Sequence, residues 1–156
     1  MFDQTNKALT TAVALAGAVS GIGHAVVKNG CSFPVTVWSV GSQVSPAHTL
    51  HTGEFYSEQF AWDNKTGGRA LKVTHDPDGL YTGEPQVIFA YSLKDEQVWY
   101  DLSSVFGDAF SGLKLVEGSA DTSCPSIVWP QGTSPAGSQV KTCQNGANVT
   151  LSLCSS

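Results

Sequence analysis

The chain is poor in charge, and poorest in positive charge. Lysine and arginine supply 8 of 156 residues against 13 aspartates and glutamates, for a net charge of −5. Those cations are scattered, so the basic face of a nucleic-acid binder is excluded, as is a polybasic membrane-surface patch. Cysteine is sparse: Cys31, Cys124, Cys143 and Cys154 are the four. No two of them form a CxxC pair, which argues against zinc-ribbon and thioredoxin chemistry. There is no Gly-x-Ser-x-Gly elbow, phosphate loop or dinucleotide fingerprint. Beyond the N-terminal region, no stretch of helical length keeps a 3.6-residue period.

What is present begins with an export signal. Lys7 precedes the apolar run Ala8–Val19, and small residues follow at Ser20–Gly23. A basic residue, a short apolar core and a small-residue zone make a secretory leader, read at residues 1–23, with the mature domain at 24–156. The run is too short to span a bilayer, which needs about 20 apolar residues. Four cysteines in an exported chain read as two disulfides, with three connectivities open by count alone. Two acceptor triplets, Asn64-Lys65-Thr66 and Asn148-Val149-Thr150, fit a glycosylating secretory pathway.

The mature chain alternates short apolar runs with Gly, Pro, Asn and Asp. Its composition and spacing predict strands near Ala25–Lys28, Pro34–Val40, Glu54–Phe60, Arg69–His75, Gln86–Leu93, Gln97–Leu102, Leu113–Glu117 and Asn148–Cys154. Weaker candidates lie near Ala47–His51, Ser126–Trp129 and Gln139–Thr142. Asp76-Pro77-Asp78-Gly79, Thr66-Gly67-Gly68 and Lys94-Asp95-Glu96 read as turns. Short strands at regular spacing predict one all-β domain, a disulfide-bonded β-sandwich or barrel.

Several stretches carry a family likeness. Val26-Val27-Lys28-Asn29-Gly30-Cys31, followed by Phe33–Trp38, resembles the opening of thaumatin-like proteins, where an Asn-x-Cys strand end precedes a Trp-bearing strand. Val98-Trp99-Tyr100-Asp101-Leu102-Ser103 resembles their Tyr-Asp-(Val/Ile)-Ser segment. The stretches Gln97–Gly112, Cys124–Pro130 and Gly137–Cys143 are similar to a fungal group, the yeast-phase-specific (BYS-type) antigenic thaumatin-like proteins. The resemblance implies a thaumatin-like antiparallel β-sandwich secreted by a fungus, extracellular or bound to its cell wall. Members of that group are known as antigens or allergens, with adhesive or antifungal roles. It also implies first-to-last cysteine pairing. Cys31 ends the first strand and Cys154 the last, while Cys124 and Cys143 flank a Pro/Gly-rich loop; the pairs are then Cys31–Cys154 and Cys124–Cys143.

Larger thaumatin-like proteins have an acidic cleft of one Arg and several carboxylates, and some bind or slowly cleave β-1,3-glucan. Asp101 matches the Tyr-Asp position of that pattern, with Arg69 near the Arg. Ile88 and Phe106 fall where other acids would stand. Glycoside hydrolysis ordinarily needs two carboxylates about 5–9.5 Å apart, so binding is the leading reading. Alternation puts Trp99 and Asp101 on one face of their strand, and a ring beside a carboxylate suits a sugar, by stacking and by accepting hydroxyls. The expected partner is a cell-wall polysaccharide such as β-glucan, or a host surface protein, bound by a monomer without cofactor. A weak β-1,3-glucanase using Asp101 with Glu84 or Asp108 is one alternative. A copper protein is another: cleavage after Gly23 would leave His24 with its amine and ring nitrogen as a chelate, completed by His48, His51 or His75. Asp63, Asp76 and Asp78 are candidate Ca²⁺ ligands, but Asp-Pro-Asp-Gly is more simply a turn.

Overall fold

The computed structural model describes residues 21–156, so the leader read at 1–23 lies almost wholly outside the described residues. Eleven strands and one short helix follow in order. They are β1 (His24–Asn29), β2 (Val35–Val40), β3 (His48–Leu50), β4 (Phe55–Gln59), β5 (Arg69–Thr74), α1 (Gly79–Thr82), β6 (Gln86–Lys94), β7 (Gln97–Val105), β8 (Leu115–Gly118), β9 (Ile127–Trp129), β10 (Lys141–Gln144) and β11 (Val149–Leu153). They form a five-stranded sheet, β4-β1-β11-β8-β9, and a six-stranded sheet, β10-β7-β6-β5-β2-β3. Every pairing is antiparallel except β1 with β11, which run parallel with Ala25 opposite Val149.

The two sheets sandwich one core. Alternate residues of β6 and β7 turn inward: Val87, Phe89 and Tyr91 from one, Val98, Tyr100 and Leu102 from the other. Ala25, Val27, Leu115, Val149 and Leu151 of the five-stranded sheet belong to the same apolar cluster. Each fully buried large apolar side chain contributes about 1.5–3 kcal/mol, which is why the period of two is kept so strictly here. In β2 even the outward residues are covered. Trp38 faces away from the core yet is 1% exposed, because α1 lies over it, with the Tyr81 ring edge-on at 6.5 Å. The Asp76–Gly79 turn of the sequence reading thus runs on into one helical turn. Gly83 stops it in the left-handed region, at φ 73°, where a residue without a Cβ is at ease.

The chain ends are tied together. Cys31 is bonded to Cys154, and Cys124 to Cys143, leaving no free cysteine. The first bridge links the loop after β1 to the end of β11, beside the parallel pairing of those two strands. Asn29, wholly buried, supports the same corner. Its amide donates to the carbonyls of Phe33 and Leu50, and its oxygen accepts the N–H of Cys31. That is the physical content of the Asn-x-Cys pattern: no hydrophobic residue satisfies all three backbone groups.

Candidate functional site

The outer face of the six-stranded sheet carries the candidate site, and strand register says which residues meet there. Asp101 of β7 stands opposite Ala90 of β6, which stands opposite Ala70 of β5. On one side of this row lie Ser92, Trp99 and Thr142, on the other Trp38, Lys72, Ile88 and Ser103. The two alanines make a low floor between Trp99 on one side and Lys72 and Ile88 on the other. At the β7 end of the row is a shallow pocket of about 190 Å³, lined by Ala90, Ser92, Trp99, Asp101 and Val140 among others. Trp99 is 41% exposed.

Asp101 is half-buried at this floor. Its Oδ1 is shielded from solvent and has no hydrogen-bond partner. Burial pushes its carboxyl up, opposed by a hydrogen bond with the Ala90 backbone.

Arg69 is not part of this face. It pairs with Tyr91, and Tyr91 with Tyr100, so it projects from the opposite face of the sheet to Asp101. There it belongs to a polar group at the open side of the sandwich. The Glu58 carboxylate accepts from Tyr91 at 2.6 Å and from Tyr56 at 2.7 Å, while the Arg69 charge acts on both tyrosines. The other carboxyl acting on this region is inside the sandwich. Glu117 of β8 is completely buried, with neither oxygen hydrogen-bonded. Burial, and secondarily the Asp101 charge, raises its carboxyl well above the ordinary range. Tyr100 bridges the two surroundings: its hydroxyl donates to the Pro125 carbonyl and is pushed up to about 12 by burial and by Glu117.

The remaining sequence candidates are dispersed. Glu84 accepts from the Asp76 N–H next to α1. Asp108 accepts from Ser104, past the end of β7. Asn64 and Asn148 are both exposed; the Asn148 side-chain oxygen accepts the His24 N–H at 2.9 Å. Regular pairing starts one residue before His24, since Gly23 donates to Asn145 and accepts from Phe60. His48 lies against Tyr56, and His75 stacks on Phe33 with Nε2 on the Ala109 carbonyl. Asp63 sits apart from Asp76 and Asp78 in the loop before β5. Its oxygens are filled by Ser42, Lys65 and Thr66, which draws its carboxyl far below the usual range and leaves it no free valence for calcium. Among the described residues, the only group of three potential metal ligands is Asp121, Cys124 and Cys143. Both of its cysteines are spent in the disulfide.

Two features of this face escape a reading by motif. The alanine floor is one: Ala70 and Ala90 carry no chemistry and matter only by being small. Tyr81 is the other, on a helical turn concealed in turn-forming sequence; alternation along Arg69, Leu71 and Val73 was the signal that would have turned Arg69 inward.

Known proteins share this architecture. A crystal structure of the protein elicitor MoHrip2 from Magnaporthe oryzae is similar with a TM-score of 0.70 and 26% identity, over 85% of this chain and 99% of that one. The thaumatin-like xylanase inhibitor TLXI has the same fold at TM-score 0.58 and 12% identity, over 84% and 99% of the two chains. In sequence, the antigenic thaumatin-like protein of Arthroderma benhamiae is 32% identical over 143 residues, spanning 91% of this chain and 68% of its own. The secreted thaumatin-like protein calA of Emericella nidulans is 26% identical over 144 residues, spanning 84% and 81%. Residues 12–155 match the Blastomyces yeast-phase-specific protein family. The fold is a thaumatin-like β-sandwich, and the chain belongs to that fungal family.

Proposed function

We propose that this is a secreted, non-catalytic protein that binds the neutral polysaccharide of a cell wall through the outer face of its six-stranded sheet. The observation that carries the reading is the shallow pocket in which the half-buried Asp101 carboxylate lies beside the exposed ring of Trp99. The carboxylate accepts a sugar hydroxyl while a pyranose C–H face stacks on the ring. Export is supported by two disulfides and no free thiol, which suit an oxidising compartment, and by the name of the secreted relative in Emericella nidulans.

Absence of catalysis rests on the surroundings of Asp101. Glu84 precedes Gln86, which stands opposite Val105, four residues along β7 from Asp101. That is about 13 Å of strand, more than the roughly 5–9.5 Å that separates the carboxyl pair of a glycosidase. Glu117 is on the far side of the sheet, in the core. The test is retention of the mature protein on insoluble β-1,3-glucan, chitin and mannan, with reducing-sugar release from laminarin measured alongside. We expect retention on at least one polymer and no sugar release. Asp101→Ala and Trp99→Ala should each weaken binding about tenfold, the value of one charge-assisted hydrogen bond or one stacking platform. Hydrolysis by the parent protein, or full retention by both folded variants, overturns the reading.

A further inference from the structure

Trp99 is not the only exposed ring on this side of the six-stranded sheet among the described residues. Trp38 lies buried under α1 at β2, and over Trp38 stands Tyr81, edge-on to it and 74% exposed. A tyrosine so exposed on a single helical turn stabilises that turn little. Its position relative to Trp99 follows from register. From Trp38 to Trp99 there are three strand steps, β2 to β5 to β6 to β7, and four residues along the strand, from Ser103 back to Trp99. In a sheet that is about 14 Å by about 13 Å, a diagonal on the order of 20 Å. Between the two rings the floor is Ala70 and Ala90. Asp101 and Lys72 are the charged groups on these three rows, one of each sign.

We propose that Tyr81 is a second sugar platform, so that the ligand is an extended, uncharged oligosaccharide laid across the strands from Trp99 to Tyr81. A single sugar unit cannot touch both rings at that separation, whereas a chain can, and the small floor leaves room for its passage. The balanced pair of charges offers no net attraction to an anionic or cationic polymer, and the half-buried Asp101 carboxylate takes a hydroxyl beside Trp99. This inference rests on the binding reading above.

The test separates the two. Laminari-, cello- and chito-oligosaccharides from disaccharide to hexasaccharide are titrated into the mature protein, Tyr81→Ala, Tyr81→Phe and Trp99→Ala. In the parent, affinity for the recognised series should climb with length until both rings are reached, then level off. Tyr81→Ala should leave the short members unchanged and lower the long ones about three- to tenfold, the worth of one aromatic contact. Tyr81→Phe should keep the climb, which shows that the ring acts and not the hydroxyl. Trp99→Ala should weaken every length. If the parent shows no gain with length, or Tyr81→Ala binds hexasaccharide as the parent does, the second platform is wrong and the Trp99 reading stands. If no oligosaccharide of any series binds the parent, both fall.

Discussion

Tyr91 and Glu58 join the two sheets by a 2.6 Å hydrogen bond. Tyr91 points inward from β6 and Glu58 from β4, the edge strand of the opposite sheet. Tyr56, two residues before Glu58, donates to its other oxygen. Both tyrosine hydroxyls are pushed up, first by burial and then by Glu58, so they remain donors throughout the physiological range. The pair of bonds closes the side of the sandwich where β4 has only β1 for a neighbour.

Removing that carboxylate strands two hydroxyls. Glu58→Ala should therefore lower unfolding stability by about 2–4 kcal/mol, as hydrogen bonds to a charged group contribute about 1.5–3 kcal/mol each and both of these are only part-buried. Glu58→Gln, which keeps the shape and one acceptor, should cost roughly half as much. Urea titration reads both, and equal stability of Glu58→Ala and the parent would reduce the network to surface decoration.

Much of this fold is legible in the sequence, and the reason is the sandwich itself. With both sheets packed on one core, inward positions must alternate, and the Val, Ile, Leu and aromatic residues of β1, β5, β6 and β7 do so in plain view. The weakest candidate strands became β3, β9 and β10, all of four residues or fewer, for which alternation has little length to show itself. The site was less legible because it depends on which residues stand opposite one another. Trp99 and Asp101 share a strand, so their common face could be counted; Arg69 lies two strands away and only its own alternation with Leu71 and Val73 betrays its face. Glu117 misleads by chemistry. A carboxylate in Leu115-Val116-Glu117 suggests solvent, but Leu115 and Glu117 share a face by period and both are buried.

The Cys31–Cys154 bridge encloses a segment of 123 residues, the Cys124–Cys143 bridge only 19. Chain-entropy arguments assign them about 5 and about 3 kcal/mol, with measured values for lost disulfides mostly at 2–5 kcal/mol. Cys31→Ser/Cys154→Ser should therefore cost more than Cys124→Ser/Cys143→Ser. The first variant also frees the parallel β1–β11 pair from its tether, so hydrogen exchange should quicken in those two strands before β6 and β7. Equal loss in both variants, by thermal unfolding, would contradict the ordering.

Asp63 anchors the loop before β5 through the N–H groups of Ser42, Lys65 and Thr66 and the Ser42 hydroxyl. Those bonds favour the charged form and draw its carboxyl down. A group whose folded value is depressed adds stability above its unfolded value and loses it as pH falls through the folded one. Asp63→Asn should lower the melting temperature at neutral pH, and the gap to the parent should close only in strongly acidic solution. The Gly41–Ser42 turn should loosen with it, visible as faster amide exchange at Ser42.

Glu117 works in the opposite direction. It is buried in the core without a partner for either oxygen, and the indole N–H of Trp129, opposite Leu115 on the neighbouring strand β9, is also without one. Burial raises its carboxyl well above 4.5, with the Asp101 charge behind β7 adding to the rise. In the unfolded chain the group ionises near its ordinary value, while in the folded chain it holds its proton. Between those two values the folded state binds more protons, so stability falls as pH rises and is greatest in acid. Asp101, raised for the same reason, tilts the curve the same way. Glu117→Gln removes the ionisation and keeps the shape, so its unfolding free energy should fall less between pH 5 and pH 8 than that of the parent. Glu117→Leu removes the unpaired polar group as well, a penalty of about 1–3 kcal/mol, and should exceed the parent at pH 8 by that order. Asp101→Asn serves as the comparison, with a smaller flattening because its group is only half-buried. Parallel pH profiles for parent and Glu117→Gln would mean that the carboxyl finds a partner in solution, and that the sandwich interior admits water at this point.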